Sequence, residues 1–212
     1  MKNKNWDIRD LGLIDYQAAY TLQKQCVEDV LQGGAQKILL CEHPSVLTLG
    51  RLAQEGYILF PKDELARRGV EVHHIDRGGE VTLHSPGQLV VYPILDLRNY
   101  QKDLKEYLSK LEQVAIDFLK GFDIVADRNP GKTGVWVGDH KIMSVGVAVK
   151  KWVTFHGLAL NINTDLNLFS LIKPCGLDVQ MVSLEKLLGK KVEMVAVKEK
   201  FVQAFCLEFN RN

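Results

Sequence analysis

The chain has 212 residues, of which 46% are hydrophobic and 25% charged, as is usual for a packed globular domain. Its net charge of +1 provides no global attraction to nucleic acid or to an anionic membrane, so we expect neither as a partner. No stretch approaches the ~20 apolar residues that span a bilayer, and the N-terminus lacks the apolar run of a signal peptide, so we expect a cytoplasmic protein. No repeat or linker-like stretch interrupts residues 1–212, which we interpret as a single domain.

Helical and strand patterns follow one another without strict alternation. Helices are predicted where apolar residues recur at helical spacing, or where a cap or a proline opens a short segment. The predicted helices cover residues 14–32, 61–68, 103–120, 184–188 after Ser183, and the tail containing Val197, Phe201, Phe205 and Phe209. The first of them has Ala18, Leu22, Cys26 and Val30 on one face. Strands are predicted where β-branched and apolar residues alternate or cluster: 37–41 and 46–49 around the turn His43-Pro44, then 70–75, 89–97, 122–126, 133–138, 141–149 and 153–162.

Short turns join the central strands, which favours antiparallel pairing. The predicted fold is therefore an α/β sandwich of the α+β class, with a mixed, largely antiparallel sheet and helices packed largely on one face.

The densest polar signal is the segment 77–88, RGGEVTLHSPGQ. Adjacent glycines let the backbone approach a ligand, and their N–H groups can point at it. Thr82 and His84 would share one face of a strand. An ordinary hairpin with a polar strand explains the same residues, and the segment is not a phosphate loop.

Cys175 lies between Pro174 and Gly176, on a stiff loop unlike the usual surroundings of a core cysteine. A thiolate at such a position could be a nucleophile, although an inert loop thiol fits as well. The four cysteines form neither a metal-finger spacing nor a disulfide framework, so we expect no metal centre.

Two further segments could serve that thiol. Lys141 opens the apolar strand KIMSVG, where a lysine is usually solvated but could lower the pKa of a neighbouring thiol and take its proton. His156, in FHGLALN, could form a Cys–His dyad instead, or could be a satisfied strand histidine. The small residues Gly157 and Ala159 would leave room for an apolar chain between this strand and a helix.

Taken together, these segments resemble the lipoyl(octanoyl) transferase family. RGGEVTLHSPGQLVVYP is similar to the family's RGG-x-x-T-x-H-x-P-G-Q-x-x-x-YP, KIMSVG to K-I-A-S-x-G, FHGLALN to F-H-G-x-A-L-N and KPCGL to x-PCG-x. CEHPSVLTLGR is similar to the family's E-H-x-x-x-x-T-x-G. The motifs keep the family's order from about residue 41 to 177. Met143 stands where the family usually has alanine, either as a packing change or as a narrowing of the acyl tunnel.

The resemblance implies a fold related to biotin and lipoate protein ligases. It implies transfer of octanoyl, or lipoyl, from acyl carrier protein to a lysine of lipoyl domains, in 2-oxoacid dehydrogenase complexes and in the glycine cleavage H protein, without a cofactor. By position, Cys175 would carry the acyl thioester and Lys141 would be its base. The resemblance assigns substrate binding to Arg77, Gly78, Gly79, Glu80, Val81, Thr82, Leu83, His84, Ser144, Val145, Gly146, Gly157, Leu158 and Ala159.

Three alternatives remain open on sequence alone. An ATP-dependent lipoate-protein ligase on a related fold would activate the acid as an adenylate and would not need the thiol at Cys175. A non-catalytic acyl-binding module would bind the chain without transferring it. A thioesterase would use Cys175, His156 and water. Accumulation of an acyl group on Cys175 would argue against the ligase and the binding module.

Overall fold

The computed structural model describes residues 6–54, 56–172 and 179–210. Its strands are β1 (Asp7–Leu13), β2 (Lys37–Glu42), β3 (Val46–Leu49), β4 (Glu71–His74), β5 (Val81–His84), β6 (Gln88–Ile94), β7 (Asp127–Asn129), β8 (Lys132–Val137), β9 (His140–Lys150) and β10 (Val153–Asn161). Its α-helices are α1 (Tyr16–Leu31), α2 (Lys62–Arg67), α3 (Leu104–Lys120), α4 (Leu184–Leu188) and α5 (Met194–Asn210).

The strands form two sheets. Seven strands lie in the order β1-β2-β6-β10-β9-β8-β7, and three in the order β4-β3-β5. In the large sheet β1 and β2 run parallel and the other neighbours antiparallel. In the small sheet β3 pairs parallel with β4 and antiparallel with β5. The predicted α+β class with a mixed, largely antiparallel sheet is confirmed.

The helices lie largely on one face of the large sheet, as predicted, since α3, α4 and α5 share one core, but α1 covers the other face. Ile38 and Leu40 of β2 belong to the core that contains α3 and α5, whereas Leu39 and Cys41 belong to the core that contains α1. Successive side chains of a strand point to opposite faces, and these central strands are apolar on both. An uninterrupted apolar strand therefore requires a helical layer on each side.

The predicted helix over 14–32 is confirmed, but its buried face is rotated. Ala18 is exposed and Leu22 half-buried, while Tyr16, Ala19 and Gln23 are buried beside Cys26, Val27 and Val30. Asp15 caps this helix by accepting a hydrogen bond from the Ala18 N–H at 2.8 Å. The rotation places two tyrosines of α1 against the polar segments of the sheets.

Local patterns failed at two other places. Residues 122–126 form turn and irregular structure, not a strand, and the short strand β7 follows at Asp127–Asn129. β1 was not predicted, because DIRDLGL lacks the alternation of apolar residues that is typical of a strand. Its strand conformation is stabilised by pairing with β2 and not by the β-propensity of its own residues. The strands flanking His43-Pro44 were predicted correctly, but they enter different sheets.

The central strand β6 contains Pro93, which has no N–H to donate to β10. The β6–β10 register runs from Val91–Leu158 to Gln88–Asn161, and beyond it the Thr154 hydroxyl donates to the Pro93 carbonyl at 2.7 Å. Within this irregular stretch His156 adopts φ +55°, a value that non-glycine residues seldom adopt in a strand. His156 thus stays paired with β9 but leaves the β6–β10 register, and its N–H bonds to α1 instead.

Among the described residues, no helix is both long and apolar enough to cross a bilayer. The single domain over residues 1–212 stays a prediction.

Candidate active site

A cavity lies between α1, the strands β5 and β6, and the paired strands β9 and β10. Nine of the fourteen residues predicted to bind substrate contribute to its wall, from three separate segments. The residues lining it are Tyr16, Arg77, Thr82, His84, Val90, Tyr92, Ser144, Val145, Gly146, His156, Gly157, Leu158 and Ala159.

The remaining five predicted residues do not line the cavity. Val81 and Leu83 point to the other face of β5, where they are buried in the core of the small sheet. Thr82 and His84 share the cavity face, as the strand period predicts. The N–H of Gly78 donates to the Val147 carbonyl at 2.9 Å, so this glycine anchors the loop to β9 instead of presenting that N–H to a ligand.

Arg77 is buried, and its guanidinium is bonded to protein oxygens. It donates to the Thr48 carbonyl at 2.6 Å, to the Glu80 carbonyl at 2.8 Å and to the Gly78 carbonyl at 2.9 Å. Five fixed donors suit a residue that must satisfy several carbonyls at once. Arg77 therefore holds the glycine turn against β3 and also lines the cavity.

Gly157 and Gly146 allow neighbouring parts of the chain to approach β10 and β9 closely. A Cβ at Gly157 would lie 2.0 Å from the Val91 carbonyl oxygen, and one at Gly146 would lie 2.9 Å from Arg77 Cδ. Any side chain there would collide with backbone or with the arginine. The predicted room beside Gly157 is thus occupied by β6, whereas Ala159, also on β10, lines the cavity.

The titratable groups of the cavity wall are mostly uncharged at neutral pH. Burial lowers the pKa of His84 to about 3, and burial raises the pKa of Tyr16 and of Tyr92 well above their usual range. The Tyr16 hydroxyl is buried and has no hydrogen-bond partner among the residues that the structure describes. A mostly neutral wall suits an uncharged acyl chain.

His156 is held in a network at the far end of the cavity. Its Nε2 lies 2.8 Å from Asp76 Oδ1, which also accepts a hydrogen bond from the Tyr20 hydroxyl at 2.8 Å. Its backbone N–H donates to Gln23 Oε1 at 2.8 Å. Burial lowers the pKa of His156 to about 4 although Asp76 opposes that shift, so the neutral ring donates to Asp76.

His156 also lies far from Lys141 along the sheet. His156 pairs with Val147, six residues beyond Lys141 on β9, which is ~20 Å along a strand that rises ~3.3 Å per residue. The bond to Asp76 fits the satisfied strand histidine, and the dyad of His156 with Cys175 stays a prediction because Cys175 lies outside the described residues.

Lys141 is buried, with 7% of its surface exposed, so the solvated lysine that is usual at a strand edge is not found here. A Cβ at Gly134 of β8 would lie 2.6 Å from Lys141 Cε and 3.2 Å from its Nζ. The ammonium lies 5.6 Å from the centre of the Trp136 ring. A glycine and an aromatic ring of β8 thus make room for this lysine side chain.

The backbone of Lys141 is bonded to the chain just after the Pro-Cys-Gly segment. Its N–H donates to the Gln180 carbonyl at 2.9 Å, and its carbonyl accepts from the Val182 N–H at 3.0 Å. Cys175 itself lies outside the described residues. Met143 is fully buried in the core that contains α3 and α5 and does not line the cavity, which favours a packing change over a narrowed tunnel.

Several cavity residues were missed at the sequence level. Tyr16, Val90 and Tyr92 line the cavity, and Asp76 and Tyr20 hold His156. Asp76 could have been suspected because it immediately precedes the glycine motif. Tyr16 and Tyr20 carry only the helical spacing of four, which does not distinguish a cavity wall from core.

The comparisons with known proteins agree with the motifs. Residues 15–206 match the family described as the lipoyl protein ligase A/B catalytic domain. The chain is 45% identical over 208 residues to an octanoyltransferase of Solibacter usitatus (strain Ellin6076), covering 98% of this chain and 94% of the relative. The chain belongs to this family. Further relatives named octanoyltransferase are 40 to 46% identical, which confirms the predicted family and enzyme class.

Solved structures share the fold at low sequence identity. A lipoate protein ligase from Thermoplasma acidophilum is 15% identical with a TM-score of 0.71, covering 97% of this chain and 84% of that one. Biotin protein ligase from Aquifex aeolicus is 14% identical with a TM-score of 0.60, covering 97% of this chain and 71% of that one. The predicted relation to biotin and lipoate ligase folds is confirmed.

Replacing Ala159 by phenylalanine should shift the acyl preference toward shorter chains. Ala159 is buried in the cavity wall, and each CH₂ that the cavity can no longer bury loses about 0.8 kcal/mol, or about fourfold in binding. The measurement is the ratio of transfer rates for octanoyl and hexanoyl donors. Ala148→Phe is the matched control, because Ala148 is buried beside α1 on β9 but does not line the cavity. An unchanged ratio in Ala159→Phe would place the acyl chain elsewhere.

Proposed function

We propose that this octanoyltransferase takes octanoyl, or lipoyl, from acyl carrier protein and passes it to a specific lysine of lipoyl domains through a thioester on Cys175. The observation that carries the proposal is the 45% identity to an octanoyltransferase along nearly the whole chain. A mostly neutral cavity wall, and a buried lysine on β9, the strand that contributes Ser144 to Gly146 to that wall, support it further. The proposed catalytic domain is the whole chain, residues 1–212.

In the first half of the reaction, Lys141 takes the thiol proton of Cys175 and the thiolate attacks the carbonyl of the carrier thioester. The tetrahedral intermediate collapses, the carbon–sulfur bond to the carrier breaks, and the departing thiolate takes the proton back from Lys141. One thioester replaces another, so the free energies of donor and acyl-enzyme are nearly balanced. Support comes from the burial of Lys141 and from its backbone bonds to residues 180 and 182.

In the second half, the amine of the acceptor lysine attacks the acyl-Cys175. The carbon–sulfur bond breaks, an amide forms, and the amine proton returns to the thiolate through Lys141. An amide is more stable than a thioester, so this half proceeds without further activation. The acceptors we propose are the lipoyl domains of 2-oxoacid dehydrogenase complexes and the glycine cleavage H protein.

The proposed compartment is the cytoplasm. Within the part of the chain that the structure describes, Cys26, Cys41 and Cys206 are free thiols, as is usual in a reducing compartment.

The proposal is tested by finding the acyl group on the protein. Wild-type chain is incubated with octanoyl-carrier in the absence of acceptor, and its intact mass is measured. We expect a gain of one octanoyl unit that neutral hydroxylamine removes, as it does a thioester. Peptide mapping should locate the adduct at Cys175 and not at the half-buried Cys206. An unmodified chain that still transfers octanoyl would overturn the covalent mechanism.

Transfer should proceed at full rate without nucleotide. The donor is already an activated thioester, and the glycine segment 77–79 is part of an arginine-bonded turn and not of a phosphate loop. The assay is octanoyl transfer from carrier to lipoyl domain in buffer treated with apyrase, with and without added ATP and Mg²⁺. Strict dependence on ATP would assign the chain to the ligases whose fold it shares.

A further inference from the structure

A line of buried hydrogen bonds connects the cavity to the strand that carries Lys141. His84 Nδ1 lies 2.9 Å from Gln88 Oε1, and Gln88 Nε2 donates to Asn161 Oδ1 at 2.9 Å. Asn161 Nδ2 donates to the Val182 carbonyl at 3.2 Å. The Val182 N–H in turn donates to the Lys141 carbonyl at 3.0 Å. Gln88 and Asn161 are almost fully buried, at 2% and 1% exposure.

Backbone carbonyls fix the direction of every bond in this line. A carbonyl only accepts, so the Asn161 amide nitrogen must face Val182 and its oxygen must face Gln88. Gln88 Nε2 also donates to the Leu83 carbonyl at 3.2 Å, which turns its oxygen toward His84. An amide oxygen cannot donate, so the bond to His84 places the ring hydrogen on Nδ1.

In the neutral ring, the second nitrogen of His84 is then an acceptor. His84 lines the cavity, and its ring nitrogen Nε2 is the one not engaged by Gln88. An octanoyl chain offers no hydrogen to this nitrogen. The substrates do carry N–H groups close to the reacting carbon: the amide of the thioester arm of the donor and the amine of the acceptor lysine.

We propose that Gln88 and Asn161 are positioning residues that hold His84 in the Nδ1–H tautomer, so that its Nε2 accepts a hydrogen bond from a substrate N–H group in the cavity. This role rests on the octanoyl transfer proposed above. The same two amides tie His84 to the backbone that holds Lys141, so one buried line sets the relative position of both side chains.

The charges around His84 favour a neutral ring. His43 approaches it from the turn between β2 and β3, with ring centres 5.8 Å apart, and Tyr16 of α1 stacks on it at 6.1 Å. Arg77 and His156 face the same cavity from the glycine turn and from β10. Burial lowers the pKa of His84 to about 3, with His43, Arg77 and His156 acting in the same direction and the bond from Gln88 opposing them. The acceptor is therefore present throughout the neutral range.

The tautomer is measured directly by nitrogen-15 NMR of histidine-labelled protein, assigned with His84→Gln. Wild type should show a protonated Nδ1 and an unprotonated Nε2 at His84. Gln88→Met keeps the side-chain length and removes the acceptor, so the Nε2–H tautomer should appear. Transfer should fall by about 10- to 100-fold, as when a partner that orients a functional histidine is removed. Gln101→Met, at an exposed position, is the matched control.

Gln88→Glu tests the tautomer by its pH dependence, which the accompanying loss of the two donations to Leu83 and Asn161 would not by itself alter. A carboxylate still accepts from Nδ1 but favours the imidazolium, so it raises the pKa of His84. Below that raised pKa both ring nitrogens carry hydrogen and the acceptor is lost. The ratio of variant to wild-type rate should therefore be highest at high pH and fall as pH falls, over and above the loss that protonation of the thiolate and of Lys141 causes in both proteins. A pH profile parallel to wild type would contradict the proposal.

Single-turnover experiments identify which substrate N–H group binds His84 Nε2. Slower acylation of Gln88→Met by octanoyl-carrier assigns the donor amide, and slower discharge of its isolated acyl-enzyme to lipoyl domain assigns the acceptor amine. A protonated Nε2 in wild type, or an unchanged tautomer in Gln88→Met, would overturn the inference. The NMR experiment needs no substrate. Failure of the wild type to transfer octanoyl would therefore refute the proposed function and leave the tautomer result unchanged.

Discussion

Replacing Cys175 by alanine should abolish octanoyl transfer and leave the fold intact. Without the thiol, the acceptor lysine would have to attack the carrier thioester directly, with no acyl-enzyme to divide the reaction into two steps. Loss of a covalent nucleophile lowers turnover by about 10⁴-fold or more in enzymes that depend on it. The measurement is the steady-state rate of transfer to lipoyl domain, beside a thermal unfolding curve.

Cys206→Ala is the control for the loss of a thiol. Cys206 is half-buried on α5, and burial raises the pKa of its thiol, so it should be unreactive. This variant should transfer at the wild-type rate. Substantial turnover in Cys175→Ala would remove the thioester from the mechanism, whatever the family resemblance implies.

Replacing Lys141 should produce the second-largest loss. Lys141→Ala removes both the positive charge and the base, and loss of a general base lowers rates by about 10²- to 10⁴-fold. Lys141→Arg keeps the charge but cannot release its proton at any accessible pH. Both variants should therefore transfer slowly, and Cys175 in the arginine variant should still alkylate at lower pH than in the alanine variant.

Lys141→Arg also changes the size of a tightly packed side chain, so this variant needs a control. Lys141 passes over Gly134 with almost no free space, so the larger guanidinium must displace Trp136 or β8. Lys132→Arg is the matched control, because the Lys132 ammonium also lies over the Trp136 ring, 5.4 Å from its centre, but the residue is exposed. Rates of transfer and the pH dependence of Cys175 alkylation are compared in all three variants.

Near-normal turnover of Lys141→Arg would show that charge alone is sufficient. His156 would then be the next candidate for the base, and His156→Gln would test it. The bond from His156 to Asp76 and its distance from Lys141 along β9 argue against that outcome. We expect His156→Gln to weaken the anchoring of the Asp76 loop and to leave the alkylation profile of Cys175 unchanged.

Sequence alone determined the family, the class of fold and most of the elements. Helices such as α3 and strands such as β9 have a periodic pattern of apolar residues that is visible in the sequence without knowledge of the tertiary structure. The motifs are runs of adjacent residues, so their similarity to a family can be recognised without knowing which face each side chain occupies. That is why Arg77, Lys141 and Gly157 could be singled out, while their individual roles stay predictions.

Only the tertiary structure decided what surrounds each of those residues. β1 forms because β2 pairs with it, and helices cover both faces of the sheet because the central strands are apolar on both. Burial of Lys141 depends on a glycine of the neighbouring strand, and the direction of the His84 bond depends on carbonyls at Leu83 and Val182. Contacts between residues distant in sequence leave no periodic signal in the chain, because they arise only when separate strands and helices are packed together.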